Sequence, residues 1–109
     1  MDNMPYIIAV DFDGTLCKEC YPEIGEPNLE IIDELCRRQA QGTRIILWTC
    51  RAGSLLDDAI EWCEHYGLHF DAINDNVPET LHKYPYCSRK ISADEYWDDK
   101  AREVRFTKS

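Results

Sequence analysis

Ile7-Ile8-Ala9-Val10-Asp11-Phe12-Asp13-Gly14-Thr15-Leu16 decides the reading of this chain. An unbroken apolar run rich in branched residues makes a strand buried on both faces, the kind found inside parallel sheets. The run ends in two carboxylates separated by one residue. Residues i and i+2 of a strand share a side, so Asp11 and Asp13 leave the sheet edge together. Two partly buried like charges repel, and one of them holds its proton more tightly unless a cation lies between them. Such a pair is a poor ending for a core strand and a good start for metal-assisted acid/base or nucleophilic chemistry. Gly14 permits a sharp turn immediately afterwards, so that the amides from Gly14 and Thr15 onward can face a phosphate as a nest.

Working outward, strand and helix signals alternate. Leu29, Ile32, Leu35, Cys36 and Ala40 recur at helical spacing between Pro27 or Asn28 and Gly42, which sits where a glycine after a helix belongs. Arg44 to Thr49 reads as a second buried strand. Ser54-x-x-Asp57 resembles a capping box and opens a helix that Gly67 closes. Phe70 to Asn74 is a third strand, and the stretch to Lys90 is an irregular connection with a helical turn at Glu79 to Lys83. Ile91 to Trp97 forms the last strand, and Lys100 to Phe106 a final helix. This alternation predicts an α/β fold, a three-layer Rossmann-like sandwich with a mostly parallel sheet. Right-handed crossovers put the second and third strands to one side of the first. With the last strand on the other side, the chain reverses direction beside the first strand, where ligands bind in such sheets. Asp13, Thr49 and Asp98 then converge on one crevice, with Asp11 and Asp13 opposite Asp98 and Asp99.

The composition fits one soluble domain over residues 1–109 with 44% hydrophobic residues. No apolar run is long enough for a membrane span, and Met1 to Pro5 carries no basic region of a signal peptide, so a cytoplasmic protein is expected. In that compartment the six cysteines are expected as thiols, with Cys36, Cys50 and Cys63 as small core residues. Cys17-x-x-Cys20 is half of a zinc site without a second half. A net charge of −9 argues against gripping a nucleic-acid backbone. Lys100, Arg102, Arg105 and Lys108 crowd near the end and read as a solvated tail.

Asp11-Phe12-Asp13-Gly14-Thr15-Leu16, together with Thr49 after a strand, Lys90, and Asp98-Asp99 after another strand, resembles the four motifs of the haloacid dehalogenase superfamily. The motifs occur in order across almost the whole chain. Most members are Mg²⁺-dependent phosphohydrolases, and three further segments (Ile46 to Arg51, Phe70 to Asn74, Arg89 to Asp94) resemble a small subgroup of short phage- or bacteria-type hydrolases. The resemblance implies Asp11 as the nucleophile that becomes an aspartyl-phosphate, and Asp13 as the acid that protonates the leaving group and later activates water. It implies Thr49 as a donor to phosphoryl oxygen and Lys90, with Lys83 as fallback, as the cation that neutralises nucleophile and phosphate. Gly14, Thr15, Cys50 and Arg51 are the expected phosphate- and substrate-binding residues, and Asn74 and Asn76 lie on the rim. Mg²⁺ is the expected cofactor, held by Asp11, Asp13 (through its carbonyl), Asp98 and Asp99.

Neither gap between motifs has room for the cap domain many members carry. The site should therefore be open, shielded by a flap at Cys17 to Gly25 and by the Asp75 to Arg89 loop, or by a neighbouring subunit acting as a lid in a homo-oligomer. A phosphorylated substrate of unknown identity is the expected partner. Two other readings stand beside this one. The site could be a non-catalytic Mg²⁺- or phosphate-binding module, or Asp75 after the third strand could be a phosphoacceptor of the response-regulator type.

Overall fold

The computed structural model describes residues 4–85, 90–102 and 104–105. Strand β1 (Ile7–Val10) is buried at every position. It pairs in parallel with β2 (Arg44–Leu47) on one side and β4 (Glu95–Trp97) on the other. The short β3 (Ala72–Ile73) pairs in parallel with β2, so the sheet runs β3-β2-β1-β4. This is the order expected from right-handed crossovers, and the α/β class is as expected.

Alternation along the strands feeds two cores. Ile8, Val10, Ile45 and Leu47 pack with Phe12 and Leu16 against Ile32 and Leu35 of α1 (Leu29–Ala40) and Ala59 and Cys63 of α2 (Gly53–His65). Ile7, Ala9 and Ile46 face the other way, onto Val77 and Ile91. Val77 immediately precedes the single short helix of that face, α3 (Pro78–Lys83). Helices therefore flank the sheet on both sides, making three layers, and the described residues contain no inserted cap. Helix α1 has Glu30 in its first turn and Arg37 and Arg38 in its last, each matched to the helix dipole. It is followed by Gly42 at a φ of +102°, a conformation that suits glycine.

Four local expectations need correction. Ser54 does not cap α2: Ala52 holds that position, and Leu56 N–H donates to the Ala52 carbonyl (3.3 Å), closing the first turn around Ser54. The third strand is confined to Ala72–Ile73 because Asp71 uses its side chain as well as its backbone. Its carboxylate accepts from Ile45 N–H (2.8 Å) while its own N–H donates to Ile45 O (2.8 Å). The last strand begins at Glu95 rather than Ile91. Residues 90–93 instead cross the sheet face, held by side chains: buried Asn76 donates to Lys90 O (3.1 Å) and accepts from Ser92 N–H (2.6 Å), and Tyr96 Oη donates to Ile91 O (2.6 Å). Finally, residues 99–100 form a turn and residues 101, 102, 104 and 105 are not helical. The rest of the expected final helix, with Lys108, lies outside the described residues, as do Tyr86 and Arg89.

Among the described residues no helix is long and apolar enough to cross a membrane, and none of the described cysteines forms a disulfide. The Cys17-x-x-Cys20 pair is split, Cys17 being buried and Cys20 exposed.

Leu35 is fully buried whereas Leu29, one and a half turns away on the same helix, is 52% exposed. Leu35→Ala should lower unfolding free energy by about 2–5 kcal/mol, and Leu29→Ala by less than about 1. Urea denaturation of both variants checks the assignment of the buried face; equal losses would refute it.

Candidate functional site

The carboxyl end of β1 remains laddered to its neighbours: Asp11 N–H donates to Trp97 O (2.9 Å) and Trp48 N–H to Val10 O (2.9 Å). Asp11 is therefore fixed at the point where the sheet order reverses, and Asp98 and Asp99 emerge beside it directly after β4. One oxygen from each of Asp11, Asp98 and Asp99 lies within 4.8 Å of the others. Burial pushes the Asp11 carboxyl up to about 6; the Phe12 amide opposes this, and the charges of Asp98, Asp99 and Asp13 add to it. Three hard oxygen donors facing one another are a set that could hold a divalent cation such as Mg²⁺. The Asp13 side chain is turned away from this set, its expected ligand atom there being the backbone carbonyl.

The loop after β1 and the loop after β4 interlock. A Cβ on Gly14, whose φ is +90°, would stand 2.5 Å from Asp99 Oδ2. Thr15 Oγ1 accepts from Asp99 N–H (3.1 Å). The Gly14 and Thr15 amides donate to Cys17 O (2.9 Å) and Phe12 O (3.2 Å). Both residues were expected to bind phosphate through those amides. The turn closes on itself instead, and the two residues seat one acidic loop against the other.

Asp13 and Arg51 form the most strongly bonded pair at the site. Arg51 Nε donates to Asp13 Oδ2 (2.9 Å) and Nη2 to Oδ1 (2.8 Å), a two-point fork. The Arg51 side chain is 1% exposed and that of Asp13 19%. Arg51 was expected to meet phosphate. Its guanidinium faces inward, because β2 delivers it beneath the loop of residues 17–27, where carbonyl oxygens and the Asp13 carboxylate await it.

The open side of the site is a crevice of about 450 Å³ lined by Asp11, Asp13, Glu19, Tyr21, Thr49, Cys50 and Lys100. Thr49 is anchored by its N–H to Asn74 Oδ1 (2.8 Å), and its hydroxyl accepts from Arg51 N–H (3.1 Å). Asn74 adopts a φ of +52°, tolerated by asparagine, to reach it. Asn76, expected on the rim, is buried and structural. Lys100 is the lysine that lines the crevice among the described residues, with Nζ 3.8 Å from Asp99. Sequence reasoning had left it in the basic tail, although its place directly after Asp98-Asp99 was the available signal. Lys90 contributes its carbonyl to Asn76 and is not among the crevice-lining residues, nor is Lys83, which lies at the end of α3 with its Nζ over the Tyr84 ring. Asp75 follows edge strand β3, two strands from β1, and its carboxylate caps the Asn76 amide (2.8 Å). Another concavity, of about 370 Å³, opens near the amino end of β1 between Tyr6, Thr80, Tyr84 and Asp94 and gathers no comparable set of charged groups.

No family model and no curated protein matches the chain. Among solved structures, a conserved protein coded by a locus of Bacteroides thetaiotaomicron is similar at 45% sequence identity and a TM-score of 0.78, over 90% of this chain and 78% of that one. The chain belongs to the same family as that conserved protein.

Because the Asp11 carboxyl is raised from 3.8 to about 6, the folded state holds its proton longer than the unfolded state does. The stability this contributes is complete below the unfolded value and is lost as pH rises through the folded one. In metal-free buffer Asp11→Asn should match wild type near pH 3.5 and exceed it in stability at pH 8. Urea melts at the two pH values decide this; an Asn variant weaker than wild type at pH 8 would contradict the assigned strain.

Proposed function

We propose that the chain is a Mg²⁺-dependent phosphohydrolase of the haloacid dehalogenase type, acting on phosphate monoesters through an aspartyl-phosphate on Asp11. The observation that carries this reading is the meeting of Asp11 with Asp98 and Asp99 at the reversal point of a parallel sheet, beside an open crevice. Structural needs alone do not bring three carboxylates together there, since each raises the cost of ionising the others.

Asp98, Asp99 and Asp11 would hold the metal through carboxylate oxygens, with the Asp13 carbonyl as the further ligand implied by the motif. Bound there, Mg²⁺ supplies neutralisation of the carboxylates and of the phosphoryl oxygens. A carboxyl with a proton affinity near 6 is ionised at neutral pH and above, as a nucleophile must be. Asp11 Oδ forms the bond to phosphorus while the ester P–O bond breaks, and the departing oxygen takes a proton from Asp13. Water activated by Asp13 then attacks phosphorus, releasing inorganic phosphate and restoring Asp11. The Thr49 hydroxyl, held in place by Asn74, donates to a phosphoryl oxygen. Lys100 takes the role of the neutralising cation at the crevice, with Lys90 as the residue the motif order implies. The absence of a cap among the described residues suits a substrate larger than the crevice or a neighbouring subunit as lid, and the net charge of −9 disfavours a polyanion.

One observation favours a second reading, a non-catalytic Mg²⁺- or phosphate-binding module: Arg51 engages both oxygens of Asp13, the proposed acid. Hydrolysis of p-nitrophenyl phosphate with and without Mg²⁺ separates the two. Wild type should release phosphate only with Mg²⁺, and Asp11→Asn should lose about a thousandfold or more in kcat while keeping its fold. Mg²⁺ binding by calorimetry without turnover would establish the binding module, and full activity of Asp11→Asn would end the aspartyl-phosphate mechanism.

A further inference from the structure

Arg51 is the one guanidinium of the site that solvent does not reach, and all its nitrogens are engaged. Beyond the fork to Asp13, Nη2 donates to Glu23 O (3.1 Å), and Nη1 to Pro22 O (3.2 Å) and Leu55 O (3.4 Å). Its Cζ also lies over two rings, 5.0 Å from the Phe12 centroid and 5.2 Å from that of Tyr21. One side chain thus touches the end of β1, the first turn of α2 and the loop of residues 17–27. That loop is itself closed at its base, where Lys18 N–H donates to Glu26 O (2.8 Å) and Cys17 bridges to Pro27. Its tip lines the crevice through Glu19 and Tyr21.

We infer that Arg51 is a positioning residue that ties this loop to Asp13, so that closure of the loop over the crevice and the aim of the Asp13 carboxylate are one state. A buried guanidinium without acceptors is strongly unfavourable. If the loop lifts, the Pro22 and Glu23 carbonyls withdraw from Arg51, which then needs either water or a different hold on Asp13. Conversely, the fork on Asp13 keeps the planar Arg51 guanidinium aimed at the two carbonyls. Lysine cannot substitute, because a single ammonium lacks the fixed fork.

The catalytic half of this inference rests on the phosphohydrolase reading; the tie between loop and carboxylate does not. Two measurements on Arg51→Lys keep them apart. Hydrogen exchange of peptides covering residues 17–27 should speed up several-fold while the sheet stays protected. In single-turnover measurements, formation of the aspartyl-phosphate should slow about a hundredfold for an alkyl phosphate, whose poor leaving group needs the proton from Asp13, and less than about threefold for p-nitrophenyl phosphate, which does not. KM should change little for either. Should Arg51→Lys fail to fold, Asp13→Asn keeps the shape and removes the charge, and its 17–27 peptides should also exchange faster. Unchanged exchange in these variants, or equal loss on both substrates, overturns the inference. If wild type hydrolyses neither substrate, the phosphohydrolase reading falls and the exchange result alone decides whether Arg51 is the tie.

Discussion

Strand β1 has to be covered on both faces and both edges, and most of the architecture answers that demand. Its four residues are almost completely removed from water, so each edge must pair and each face must meet apolar side chains. One edge and one face are satisfied in sequence order by β2 with α1 and α2. The other edge and face are left for the end of the chain, which crosses the sheet through Ile91 and returns as β4. A strand enclosed in this way is open only beyond its two ends, and the candidate site lies beyond the carboxyl end. The acidic residues lie there because β1 itself runs into Asp11 and the loop after the flanking β4 carries Asp98 and Asp99.

The same enclosure accounts for the electrostatics. Asp11 is one residue past a strand with no solvent on any side, so its charge is costly before any neighbour is counted. Asp98 and Asp99 increase the cost, and Arg51 is directed to Asp13 rather than to Asp11. Two carboxylates from one short motif therefore live in opposite environments, one among like charges and one in a guanidinium fork. That contrast follows from where Arg51 enters.

Much of this was legible in the sequence, and the exceptions have physical reasons. Branched apolar runs at 7–10 and 44–47 identify central strands, and their alternation with helices leads to the sheet order. The acidic trio follows from that order. Strand lengths at the edges were not legible, because Asp71 and Asn76 replace ladder bonds with side-chain bonds, which periodicity does not register. The role of Arg51 was hidden for a related reason. Its partners beyond Asp13 are the carbonyls of Pro22 and Glu23 in the loop and of Leu55 in α2, and backbone acceptors carry no residue-type signature. Lys100 was legible by adjacency to Asp99, yet it merged with the basic residues that follow.

Asn76 has a consequence for how this fold can diversify. Its amide bridges the exit from β3 and the approach to β4, so the intervening connection starts and finishes at one fixed gate. Val77 and α3 follow the first gatepost and cover that sheet face, so this part of the connection belongs to the core. The entropic penalty for a longer excursion beyond α3 grows only with the logarithm of its length. Chain can therefore be added between α3 and the second gatepost while the acidic cluster keeps its register.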